Sequence, residues 1–134
     1  MNAVKKRDII LFIDDEKICH TLAELIIPNF TDFRLVSAFN GKQAINLATR
    51  YSSELCLIIS DILLPDINGY EIFKILKKES KFVQVPFIFQ SGLSSQEKTL
   101  RKNINEDIKI IYKPYKQPDL LKSINDVLAH NQDT

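Results

Sequence analysis

The sequence predicts an α/β fold: a doubly wound, parallel sheet of five strands with helices on both faces. Two observations carry this. Short apolar runs rich in β-branched and aliphatic residues recur at Ile9 to Ile13, Leu55 to Ile59 and Pro86 to Phe89, without the strict alternation of half-exposed strands. Strands buried on both faces have this composition. Between such runs stand stretches with helical spacing, so strand and helix alternate five times, which calls for right-handed crossovers and a parallel sheet.

The three apolar runs read as central strands. Phe33 to Ala38 and Ile108 to Tyr112 are weaker runs that contain Arg34 and Lys109, and charges of this kind suit the sheet edges. After the first strand, Ile18, Leu22, Leu25 and Ile26 mark the apolar face of a helix; Ala44, Leu47, Ala48 and Tyr51 mark a second, and Ile72, Ile75 and Leu76 a third. The fourth helix opens on Ser94-Ser95-Gln96-Glu97, a capping-box pattern. The fifth has Pro118 just inside its start, followed by Leu120, Leu121, Ile124 and Leu128.

The 134 residues fit one domain, 1–134, with a core over about 8–130 and short tails at both ends. Lys and Arg total 18 against 17 Asp and Glu, so no global field argues for nucleic acid, an anionic membrane or acidic substrates. The basic start, Met1 to Arg7, precedes only a short apolar run before Asp14-Asp15-Glu16, too short for an export signal. Nothing approaches the roughly 20 apolar residues of a membrane span. Cys19 and Cys56 lack C-x-x-C spacing, and Cys56 stands within an apolar run; a reducing cytoplasm is expected.

In a doubly wound sheet, ligands bind beyond the carboxyl ends of the strands, near the point where strand order reverses. Those ends are chemically unusual here: Asp14-Asp15, Ser60-Asp61, Gln90-Ser91-Gly92 and Tyr112-Lys113-Pro114. Three carboxylates at one edge repel one another unless a cation favours their ionised forms, and Mg²⁺ suits a site of oxygen ligands that also meets a phosphate. Lys113 can then pair with one phosphoryl oxygen and the Ser91 hydroxyl can donate to another, while Asp61 attacks phosphorus in line. Each feature alone also has an ordinary reading. An acidic pair can be a solvated turn or a helix cap, and Lys-Pro, Ser-Gly and Asn68-Gly69 can be plain turns. His20 reads as a surface or partly buried helix residue rather than a ligand, since no second His is near it in sequence, and His130 lies in the tail. Lys98, Arg101 and Lys102 fall on one side of the fourth helix and read as a solvated face, with a docking surface for an acidic partner as the alternative.

Asp14-Asp15, then Asp61-Ile62-Leu63-Leu64-Pro65-Asp66-Ile67-Asn68-Gly69, then Ser91, then Lys113-Pro114, taken in this order over nearly the whole chain, resemble the receiver domain of two-component response regulators. The resemblance is to the stand-alone, chemotaxis-regulator-like type. It implies a flavodoxin-like three-layer sandwich, strand order 2-1-3-4-5, and transfer of a phosphoryl group from a sensor histidine kinase, or a histidine phosphotransfer protein, to Asp61. It implies Mg²⁺ held by Asp15 and Asp61 directly, by Asp14 largely through water, and by the backbone carbonyl of Leu63. Ser91 and Lys113 would contact the phosphoryl group, and Lys113-Pro114 would be cis, which only proline makes inexpensive.

Such a chain is a stoichiometric phosphoacceptor that assists its own phosphorylation and dephosphorylation rather than an enzyme with a separate substrate. It acts on a downstream protein target through protein contacts. Two other readings stand beside it: a pseudo-receiver used as a constitutive binding module, and an aspartate-nucleophile phosphohydrolase. The second usually carries another Asp two residues after the nucleophile, where this chain has Leu63. Departures from the pattern are informative. Many receivers carry Tyr or Phe three residues before the lysine as a rotamer switch, and here that position is Ile110; Tyr112 alternates with Ile111 and Lys113 and is a poor substitute. Gly92 replaces a common Ala, and Asn103 to Asp107 replaces a common Gly-Ala-Asp turn. Leu63 and Leu93 stand where side chains place or exclude the hydrolytic water, so slow self-dephosphorylation is expected.

Overall fold

The computed structural model describes residues 6–104 and 107–132, with side chains as far as Ala129. The turn at Asn103 to Asp107 therefore includes two residues, Asn105 and Glu106, that lie outside the described residues, as do Met1 to Lys5 and the side chain of His130. Strand and helix alternate five times: β1 (Ile9–Ile13), α1 (Lys17–Phe30), β2 (Arg34–Ala38), α2 (Gly41–Arg50), β3 (Leu55–Asp61), α3 (Gly69–Lys77), β4 (Phe87–Ser91), α4 (Ser95–Lys102), β5 (Lys109–Tyr112) and α5 (Gln117–Gln132). A short 3₁₀ turn, Ser80–Phe82, leads into β4. All four strand pairings are parallel, and the sheet order is β2-β1-β3-β4-β5. The strands carrying Arg34 and Lys109 are the two edges, as their charges predict.

Successive side chains along β1 enter opposite cores. Ile9, Leu11 and Ile13 join the core under α2, α3 and α4, while Ile10 and Phe12 join the core under α1 and α5. A register shift where β1 meets β3, between Ile9 and Ile10, inserts one residue opposite; Leu57 and Ile59 thereby stay on the α1/α5 side and Ile58 on the other. All five residues of β1 and of β4 are buried; β1 therefore reads as an unbroken apolar run, and β4 as an apolar start, Phe87 to Phe89, closed by the polar Gln90 and Ser91.

The apolar stripe chosen from the sequence for α1 faces the wrong way. Ile18, Leu22 and Leu25 are 61%, 50% and 56% exposed, and the helix buries His20, Ala23 and Ile27 instead, with Ile26 partly buried. A small Ala lets the helix approach the sheet closely, and His20 has a polar partner waiting there. On α3, Ile72 and Leu76 are buried as expected, but Ile75 is 41% exposed. The start of α4 follows its sequence signature: Ser94 accepts from the Glu97 amide, and the Glu97 carboxylate accepts from the Ser94 amide. Asn68 and Glu71 form the same box at α3, and the Asp66 carboxylate accepts from the Gly41 and Lys42 amides at the start of α2.

Gly69 shows how closely the loop after β3 is drawn in. Its amide donates to the Ile62 carbonyl at 2.7 Å, and a Cβ there would collide with the Asp61 backbone carbonyl oxygen. Backbone cannot swing aside as a side-chain end can, so Gly69→Ala should lose about 2–4 kcal/mol of stability in denaturant unfolding. A loss under about 1 kcal/mol would show that the loop yields easily.

Candidate functional site

The sheet order sets Asp14, just past β1, beside Asp61, the last residue of β3. Asp15 follows Asp14 on the turn into α1. One carboxylate oxygen from each of Asp14, Asp15 and Asp61 lies within 4.8 Å of the others, with Asp14 and Asp61 buried and Asp15 exposed. Lys113, just past β5, spans the cluster: its Nζ is 2.9 Å from Asp14 Oδ2 and 2.8 Å from Asp61 Oδ1. The Lys113-Pro114 peptide bond is cis. Leu63 lines the open cleft over Asp61 together with Asp15, Lys113 and Gly92.

The two buried carboxylates are treated unequally. Asp14 Oδ1 accepts from the Glu16 amide at 2.9 Å, and Oδ2 accepts from Lys113 and from Gln90 Nε2, each at 2.9 Å. Burial alone would raise its pKa, but the Lys113 and Glu16 bonds prevail and hold it below the ordinary carboxylate value. Asp61 has fewer friends: its Oδ1 meets Lys113 as an ion pair and is otherwise buried with no hydrogen-bond partner among the described residues. Burial, and then the Asp14 charge, push the Asp61 carboxyl up to about 8, and Lys113 offsets this only in part. Lys113, between two carboxylates, is held well above its usual value despite burial.

An orphaned, buried carboxylate oxygen inside a three-carboxylate cluster is what a hard divalent cation fits. It would offset the burial and the Asp14 repulsion that together raise Asp61, and an exposed Asp15 leaves room for retained waters. The donor set is all oxygen, so a hard cation fits better than a softer metal.

Ser91 is fully buried at the end of β4, yet its hydroxyl is turned from the carboxylates. It donates to the Gly92 carbonyl at 3.1 Å and accepts from Arg101 on α4 at 2.5 Å. Arg101 is thus partly buried and bonded, not part of a solvated face with Lys98 and Lys102, which are exposed. Gln90 was not singled out by its residue type, although an amide closing an apolar strand is a readable signal. It bridges Asp14 to the Tyr115 hydroxyl, which donates to Gln90 Oε1 at 2.7 Å. His20 is another correction: it is 2% exposed, with Nε2 2.7 Å from the Asp14 carbonyl oxygen and its ring between Phe12 and Phe39. Its environment could not be read from a lone His in a helix, because the carbonyl that meets it belongs to a loop six residues away.

A family model described as the response regulator receiver domain matches residues 10–125. The response regulator SaeR of Staphylococcus aureus is 27% identical over 124 residues, covering 90% of this chain and 50% of its own length. A probable transcriptional regulator, ycf29, of Pyropia yezoensis is 33% identical over 99 residues, covering 74% of this chain and 44% of its own length. The chain spans about half the length of these curated relatives. Among solved structures, the signal receiver domain of a signal transduction histidine kinase from Syntrophus aciditrophicus matches with a TM-score of 0.81 at 23% identity, over 95% of this chain and 94% of that one. The chemotaxis response regulator CheY4 of Vibrio cholerae matches at 0.77 and 22%, over 92% and 100%. These two likenesses are of fold, which here is the flavodoxin-like order with its acidic cluster at the strand ends. The family model covers most of the sequence, and the chain belongs to the response regulator receiver domain family of two-component systems.

Proposed function

We propose that Asp61 accepts a phosphoryl group from the phosphohistidine of a sensor histidine kinase or a histidine phosphotransfer protein, and that the resulting charge acts as a switch on protein–protein contacts. The observation that carries this reading is the cluster of Asp14, Asp15 and Asp61 with Lys113 bridging the two buried members. Asp14, Asp15, Asp61 and the backbone carbonyl of Leu63 would hold Mg²⁺, which when bound supplies charge neutralisation and Lewis acidity toward a phosphoryl oxygen.

The chain's own groups account for the rest. Asp61 must be ionised to attack, and of the two buried carboxylates it is the one whose oxygen is not tied down by hydrogen bonds. In the transfer an oxygen–phosphorus bond forms at Asp61 as the phosphorus–nitrogen bond of phosphohistidine breaks, and the departing imidazole keeps the bonding pair and takes up a proton. The Lys113 ammonium, already 2.8 Å from Asp61, can pair with an oxygen of the new group. The Ser91 hydroxyl can supply another bond once it turns from Gly92. The phosphorylated side chain carries nearly two negative charges, enough to shift an existing conformational balance. The cytoplasm, where thiols stay reduced, is the proposed compartment; Cys19 and Cys56 are unpaired.

Incubation with a small phosphodonor and Mg²⁺ should add the mass of one phosphoryl group to the wild type and none to Asp61→Asn. An unmodified wild type would leave the pseudo-receiver reading in its place.

Metal-free stability tests the electrostatics. Asp61 moves from 3.8 to about 8 on folding, so between these values the native state binds more protons than the unfolded one, and stability falls as pH rises through that window. Asp14, held below 3.8, makes its own change beneath the window. In EDTA at pH 8, Asp61→Asn should be more stable than the wild type by on the order of 1–3 kcal/mol, and Mg²⁺ should narrow the gap. Equal stability of the two proteins across the window would refute the unequal treatment of the two carboxylates.

We propose slow self-dephosphorylation, because neither Leu63, which lines the cleft, nor Leu93, which is 70% exposed, offers a hydrogen bond to a hydrolytic water. Leu63→Asn should speed phosphate loss about three- to tenfold, the worth of one hydrogen bond to an attacking water. A time course with no acceleration removes Leu63 as the shield.

A further inference from the structure

The side chain of Ser91 is held from α4. The Arg101 guanidinium donates to the Ser91 hydroxyl at 2.5 Å and to the Gly92 carbonyl at 3.0 Å. One turn earlier on the same helix, Glu97 accepts from the Gly92 amide at 2.9 Å. Both backbone groups of Gly92 and the side chain of Ser91 are therefore bonded to one face of α4.

The helix itself has little else to hold it. No residue of α4 is buried, and Leu100 is its one side chain packed, in part, against the core. Helices in proteins owe most of their stability to an apolar face, so one without it takes its position from polar ties. Arg101 also lies over the Tyr112 ring, with the guanidinium carbon 5.2 Å from the centroid, and Tyr112 is the cross-strand partner of Ser91 on β5. Ile110, by contrast, is partly buried in the core on that side and has no ring to turn.

We propose that Arg101 is the residue that couples Ser91 to α4 and to the Tyr112 surface, so that movement of the Ser91 hydroxyl is transmitted by a direct tether instead of through an aromatic side chain at position 110. This rests on the reading of Asp61 as phosphoacceptor and of Ser91 as a phosphoryl contact. When the Ser91 O–H leaves the Gly92 carbonyl for a phosphoryl oxygen, its lone pairs still accept from Arg101, so the guanidinium follows the hydroxyl. The same Nη1 keeps its second bond to Gly92, so the loop and α4 move as a unit, and the contact over the half-exposed Tyr112 ring shifts with them. Arg101 acts through Ser91 and is a positioning residue for the switch.

The test uses the full chain labelled with nitrogen-15, held under excess small phosphodonor and Mg²⁺, with intact mass recorded beside amide and arginine Nε–H spectra. Wild type, Arg101→Met, which keeps the aliphatic stem, and Arg101→Ala, which removes it, are compared. The wild-type Arg101 Nε–H signal and the α4 amides should shift on phosphorylation. In both variants the mass gain and the shifts around Asp61 should remain, while the α4 shifts fall below about a third of their wild-type size. A wild type without added mass overturns the phosphoacceptor reading. Full α4 shifts in phosphorylated Arg101→Met, or an unmoved Arg101 signal in phosphorylated wild type, overturn the coupling alone.

Discussion

Lys113 stands between two carboxylates that the sheet forces together, and the chemistry at the strand ends depends on how it divides itself between them. Asp14 and Asp61 close neighbouring strands, so their repulsion is built into the order β1-β3. Lys113 reaches them from the far edge, across β4, and its Nζ comes within 3 Å of both. Gln90, on the strand crossed, donates to Asp14 as well. Asp14 thereby gathers three hydrogen bonds to its carboxylate, and Asp61 Oδ1 is left with an ion pair but no hydrogen-bond partner among the described residues. An under-satisfied buried group costs stability, and such groups concentrate where a ligand or a reaction completes them.

The two sides of this sheet edge are built from different materials. Toward α1, Asp14 is backed by apolar packing: its carbonyl meets the buried His20, whose ring lies between Phe12 and Phe39. Toward α4, Ser91 and Gly92 are held by Arg101 and Glu97 on a helix that buries no residue. Close-packed interiors resist small displacements, whereas a few charge-assisted hydrogen bonds can be exchanged one for another at modest cost. A change in charge at Asp61 thus meets a stiff support on one side and an exchangeable one on the other.

Much of this was legible in the sequence because it is recorded locally. Runs buried on both faces mark β1 to the residue and β3 and β4 within two residues, the charges Arg34 and Lys109 mark the edge strands, and the Ser94–Glu97 spacing marks the start of α4. The acid, hydroxyl and lysine positions follow from one rule, that parallel strands deliver their last residues to one edge. Strand order and the family resemblance then agree with the structure.

Which way each helix turns, and what a polar side chain meets there, was decided only by the tertiary structure. Hydropathy put Ile18, Leu22 and Leu25 inside; Ala23 and His20 are there instead, because close approach to the sheet and the Asp14 carbonyl select the face. Arg101 looks the same in sequence as Lys98 and Lys102, and only the path of the chain from β4 brings it to Ser91. Periodicity is a property of neighbours along the chain, whereas a hydrogen-bond partner ten or a hundred residues away is a property of the fold. The sequence by itself determined that Asp61 would stand among acids and a lysine; the fold decided which acid Lys113 satisfies and which helix holds Ser91.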